Sequence, residues 1–183
     1  MSDALTTLMD MGKQYAEFCM RNDGSVRPAM FANSPDGILN FMPNDFHDEK
    51  AKDFFTNSAR LICATYGATS VVMVLESWVK FGKQDEQDDT PPSEAFDRKE
   101  FIILTGETKG KKTTEFLPIL RTDAGTFFGF GEFDSSKLEG FQGRFTEMLP
   151  PKKPTKEMQI VAHALLERIG VTKESLLSKH GRN

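Results

Sequence analysis

Apolar and polar positions along this chain follow two periods, and the change from one to the other is sharpest between Asp48 and Phe81. Ala51, Phe54, Phe55, Ser58, Ala59, Ile62, Cys63 and Tyr66 recur at i, i+3 and i+4, which places them on one face of a helix, with Glu49, Lys50, Asp53, Asn57 and Arg60 on the other. Asn44 or Asp45 is expected to accept the free amide hydrogens of the first turn, and Gly67 to end the helix in the left-handed conformation. From Thr69 to Leu75 the chain is rich in β-branched residues and apolar on both alternating sets, as a strand covered on both faces requires. Beyond Leu75 the sets diverge. Leu75, Val79 and Phe81 continue one face, while Glu76, Trp78 and Lys80 project from the other, so this end of the strand is expected to reach a surface or a cleft.

The rest of the chain divides by the same reasoning. Leu5, Leu8, Met9, Gly12, Tyr15, Ala16 and Cys19 form a helical stripe from Asp3 to about Met20. Arg27–Asn33 and Ile38–Met42 flank Ser34-Pro35-Asp36-Gly37, whose proline and glycine positions suit a tight turn and predict a hairpin. Residues 82–99 carry Asp85, Glu86, Asp88, Asp89, Pro91, Pro92, Glu94 and Asp97 with little to bury, and are expected to form an acidic loop. Strands are predicted over Glu100–Glu107, Thr113–Arg121 and Thr126–Phe133. In the last of these, strict alternation puts Phe128 and Phe130 on one face and Phe127 and Phe133 on the other. Pro118 removes a ladder donor, which favours an edge position or a bulge. Ser135–Phe145 is expected to hold a short helix or turn. Pro150-Pro151-Lys152-Lys153-Pro154 then reads as a stiff linker to a final helix capped by Thr155, with Met158, Val161, Ala162, Leu165, Leu166 and Ile169 as its apolar stripe and Gly170 at its end. A further helical turn is expected from Thr172 to Ser178.

These elements predict an α+β fold in the order α-β-β-α-β-β-β-α. It comprises a single antiparallel sheet of about five strands, a hairpin plus a three-stranded meander, with helices packed mainly on one face. The expected organisation is a domain over 1–149 and a proline-rich linker with a helical segment over 150–183. The order of elements resembles that of roadblock/longin and profilin-like domains. The resemblance lies in element order only and transfers no binding residue, and such folds host dimer scaffolds, small-molecule sensors and enzymes alike.

Composition narrows the classes. With 183 residues, 38% hydrophobic and 27% charged, the chain can bury one core. A formal net charge of -4 argues against a broad platform for nucleic acid or anionic lipid, so no nucleic-acid partner is expected. Cys19 and Cys63 fall on apolar stripes and read as buried thiols in a reducing compartment. Met1–Asp10 lacks the pattern of a secretory signal, and no apolar run approaches the ~20 residues that span a bilayer, so a soluble cytoplasmic protein without a membrane partner is expected.

Candidate chemistry is sparse. Asp36, Glu107 and Lys109 offer the residue types of a metal-dependent nuclease, but Asp36 already has a turn role, and Glu107 and Lys109 lie beside a hairpin tip. Gly129-Phe130-Gly131 lacks a following helix N-terminus that would hold a phosphate, and alternating glycines in a strand more often make room for rings. His47, His163 and His180 have no ligand partners at zinc spacing, and His163 is expected at a helix boundary. No metal site, cofactor or catalytic residue is expected. The acidic loop lacks the spacing of a calcium loop, and Lys109, Lys111 and Lys112 read as a solvated tip with some capacity to meet an anion.

The sharper expectation concerns Glu76, Trp78 and Lys80, which with Arg121, Phe128 and Phe130 could line a partly apolar cleft or interface. The competing reading is that Trp78 closes the core under the acidic loop and Glu76 pairs with Lys80 or Arg121. The leading expectation for function is a non-enzymatic interaction module acting through self-association or a protein partner. Sixteen phenylalanines, nine methionines and the amphipathic C-terminal helix support it. The alternatives are a small-molecule sensor or carrier with an apolar pocket between sheet and helices, and a hydrolase with a site dispersed in sequence.

Overall fold

The computed structural model describes residues 4–79, 99–134 and 144–177. The expected acidic loop, except Lys99, most of the expected turn at Ser135–Phe145 and the C-terminal tail lie outside the described residues. The chain runs α1 (Ala4–Asp23), β1 (Ala29–Ser34), β2 (Gly37–Phe41), α2 (Glu49–Thr65), β3 (Ser70–Val79), β4 (Lys99–Thr108), β5 (Lys111–Arg121), β6 (Phe127–Phe130), α3 (Lys156–Arg168) and α4 (Lys173–Leu176). The six strands form one curled antiparallel sheet in the order β2-β1-β3-β4-β5-β6, so the fold is α+β as expected, with one strand more than the hairpin and three-stranded meander. The strand left out of that count is β3, although the apolar run Thr69–Leu75 predicts it; it pairs with β4 along its whole length, from Ser70–Thr108 to Val79–Lys99, and so heads the meander.

Alternation along β3 divides the core in two. Val71, Met73 and Leu75 pack with Phe55, Ala59 and Ile62 of α2, whereas Val72 and Val74 meet Leu104 and the α1 residues Leu8 and Ala16. Leu166, Val171 and Leu176 join the α2 side, so α2, α3 and α4 share one face of the sheet and α1 covers the other. Gly12 permits the closest approach of α1, since a β-carbon there would lie 2.7 Å from Leu104 Cδ2.

Several local features depart from the sequence pattern. Asp48, not Asn44 or Asp45, caps α2, its Oδ1 accepting from Ala51 N at 2.7 Å, while Asp45 Oδ1 accepts from His47 N at 3.0 Å before the helix begins. Phe54 is 49% exposed although it belongs to the apolar stripe. Thr56 is buried in α2, its hydroxyl donating to Lys52 O at 2.9 Å. In β6, Leu120 pairs with Gly129 but Arg121 with Phe127, leaving Phe128 as the extra residue of a bulge. The bulge reverses the alternation, so Phe127 and Phe130 pack together toward α1 with ring centroids 5.1 Å apart. Pro118 pairs with Phe101 at the end of the β4–β5 ladder and lies just beyond the β5–β6 ladder, where its carbonyl accepts from Gly131 N at 2.8 Å.

The segment 144–149 is fastened across α2 and β4. Arg60 donates to the carbonyls of Arg144, Thr146 and Glu147, and the Thr105 hydroxyl donates to Phe145 O at 3.0 Å. Arg144 pairs with Glu49 and with Asp53, and Lys52 and then Arg144 hold the Glu49 carboxyl below its ordinary range. Glu147 has φ 59°, the one positive value outside glycine among the described residues. This turn delivers Met148 into the core, where its N–H donates to Glu107 Oε2 at 2.8 Å.

Candidate functional site

The end of the sheet brings together only part of the set expected from sequence. Glu76 is not paired with Arg121; its Oε2 accepts from Val26 N at 2.6 Å and so ties β3 to the chain entering β1. Arg121 Nε instead meets Glu100 Oε2 at 2.7 Å, and its guanidinium donates to Gly24 O and Gly125 O, each at 3.3 Å. Trp78, 37% exposed, lines a groove of about 880 Å³ with Glu100, Pro118 and Arg121. Phe130 is turned under α1, and Phe128 stands 72% exposed, so the bulge separates the two rings that alternation placed together. Lys80 lies outside the described residues. Arg121 in this groove is already bonded to a carboxylate and two carbonyls, which makes its role architectural.

Nucleophilic chemistry finds little support in the side chains. Cys19 and Cys63 are buried free thiols, and burial, with Glu107 adding to it, pushes the Cys63 thiol up to about 12, so it stays protonated at neutral pH. We expect a thiol reagent such as dithiobisnitrobenzoate to leave both cysteines of the native protein unmodified and to label both in denaturant. Rapid labelling of the native chain would show that one of them is accessible. His163 lies within α3 rather than at a boundary, its ring edge-on to Tyr66 at 6.3 Å. His47 is a surface residue, and His180 lies outside the described residues. Among the described residues no three His, Cys, Asp or Glu side chains cluster as metal ligands.

Asp36, Glu107 and Lys109, distant in sequence, do converge. They share a cleft of about 1320 Å³ bounded by the β1–β2 turn, the C-terminal end of α2, the β4–β5 hairpin and the proline-rich segment. Both carboxylates are engaged, however, Asp36 with Lys173 Nζ at 2.7 Å and Glu107 with the Met148 amide. This geometry leaves no carboxylate pair facing a common metal position. The cleft retains a preponderance of lysine, including Lys152 and Lys153, which sequence reasoning assigned only to a linker.

The broadest unsatisfied surface is on α3. Its stripe contains six apolar residues, but only Ala162 and Leu166 are buried, against α2. Met158, Val161, Leu165 and Ile169 are exposed by 61%, 61%, 45% and 40%. At their end, Ile169 joins Phe54 and Met42, themselves 49% and 42% exposed, around a depression of about 560 Å³. The stripe was legible in sequence as amphipathicity. Its exposure was not, because the width of the contact with α2 is a tertiary property. No family model, curated protein or solved structure matches the chain.

Proposed function

We propose that the chain is a non-enzymatic interaction module that self-associates through the exposed face of α3. The observation that carries this reading is the apolar row Met158, Val161, Leu165 and Ile169, continued by Phe54 and Met42 and left open to solvent. A row of this kind loses about 25 cal/mol of favourable transfer free energy for every Å² left in water, and contiguous exposed apolar surface is a mark of interaction sites. Charge placement favours a second copy as the occupant. Glu157 and Arg168 fall about three helical turns apart on the same flank of the row. When two copies of α3 pair antiparallel about a two-fold axis, like flanks meet, and each Glu157 lies opposite Arg168 of the other copy.

Light scattering after size exclusion tests the reading. A concentration-dependent dimer is expected, with Leu165→Glu weakening association by about a hundredfold or more, since a charge then enters the contact twice. Glu157→Arg and Arg168→Glu should each weaken the dimer, and the double variant should restore it. A wild-type protein that stays monomeric at all accessible concentrations, or a Leu165→Glu variant that dimerises as the wild type does, would overturn the proposal.

A further inference from the structure

The cleft beside the β4–β5 hairpin concentrates positive charge in a chain whose formal net charge is -4. Six lysines line it, Lys109, Lys111 and Lys112 from the hairpin, Lys152 and Lys153 from the proline-rich segment and Lys173 from α4, against the carboxylates of Asp36 and Glu107. Neutralisation among the described residues is partial. Lys173 meets Asp36, Lys112 Nζ meets Glu147 Oε1 at 3.1 Å, and Glu107 is occupied by a backbone amide. Lys109, Lys152 and Lys153 make no ion pair among the described residues.

Like charges brought into one concavity by folding repel each other, and the repulsion is relieved when an anion enters. The lysines come from segments about 40 residues apart in sequence and are held by stiff elements, a tight hairpin on one side and a segment punctuated by Pro150, Pro151 and Pro154 on the other. Lysine presents a compact point charge suited to phosphate oxygens in varied orientations. The same cleft contains Tyr66, Ala68 and Leu149, apolar surface that a bare ion would leave uncovered. Two buried hydroxyls of its wall, Thr65 Oγ1 and Tyr66 Oη, have no hydrogen-bond partner among the described residues.

We propose that this cleft binds a small phosphorylated molecule, with its phosphates between Lys109, Lys152 and Lys153 and its apolar body against Tyr66 and Leu149. A small molecule is favoured over a nucleic acid because the charge lies in one concave site of ligand size and the chain as a whole is acidic. The inference stands on the cleft alone and is independent of association through α3.

Titration calorimetry of the full chain at low ionic strength with inorganic phosphate, pyrophosphate and ATP tests it. Saturable binding at one site per chain is expected, stronger for pyrophosphate than for phosphate and stronger again for ATP, which offers a planar body as well. The double variant Lys152→Gln/Lys153→Gln removes exposed side chains, so its circular dichroism should be unchanged while its affinity falls about tenfold or more. Lys13→Gln, at a lysine paired with Glu115 outside the cleft, should leave affinity unchanged. Absence of saturable binding for all three probes, or an equal loss in Lys13→Gln, would overturn the proposal. So would preference for a single-stranded oligonucleotide whose affinity rises with its length, which would mark a nucleic-acid surface instead.

Discussion

Replacing Phe55 with alanine is expected to remove about 3–5 kcal/mol of stability, a large part of the roughly 5–15 kcal/mol that holds a domain folded. The ring is fully buried and organises three others, stacked on Phe41 at 5.6 Å, edge-on to Phe46 at 5.8 Å and tilted against Phe145 at 6.3 Å. Truncation therefore leaves a cavity whose walls come from β2, the approach to α2 and the segment fastened by Arg60, and these cannot all collapse inward together. Urea unfolding followed by circular dichroism should show the midpoint falling with little change in slope. The neighbouring Phe54→Ala, at a ring half in solvent, should cost far less, within about 1 kcal/mol. Equal losses at the two positions would contradict the orientation of α2.

The second large effect is expected at Leu166. It is fully buried and, with Ala162, holds α3 on α2, so Leu166→Ala should cost about 2–5 kcal/mol locally. The rest of the sheet has its own core on the α1 side, built from Val72, Val74, Ile102 and Leu104. The loss should therefore appear as local opening. Hydrogen exchange should show amides of residues 156–168 losing protection while those of β3 and β4 stay slow. A uniform fall across all elements would show instead that α3 and the sheet unfold as one unit. Because α3 carries the exposed row, the same variant should also weaken self-association.

The central elements were legible because their signals are local. The stripe of α2 and the doubly apolar β3 follow from periodicity, and the turn at Pro35-Asp36 and the cap at Thr155 follow from single residues with one favourable local use. Trp78 and Arg121, expected to line a cleft together, do border one groove, yet the pairing of Glu76 and of Arg121 was not readable. Glu76 found a backbone amide 50 residues away, and Arg121 found Glu100 across the sheet. The separation of Phe128 from Phe130 turns on a single bulge, and periodicity carries no signal for one residue that drops out of register.

What the sequence by itself determined is the α+β class, most of the helices and strands and, one strand short, their order, since these depend on spacing and on residues within one turn of each other. Tertiary structure alone decided that four of the six α3 stripe residues face solvent and that lysines of a hairpin tip and of a proline-rich segment meet in one cleft. Both are matters of which distant surfaces come into contact, and that contact is governed by shape and burial across the fold rather than by the preferences of any neighbouring residues.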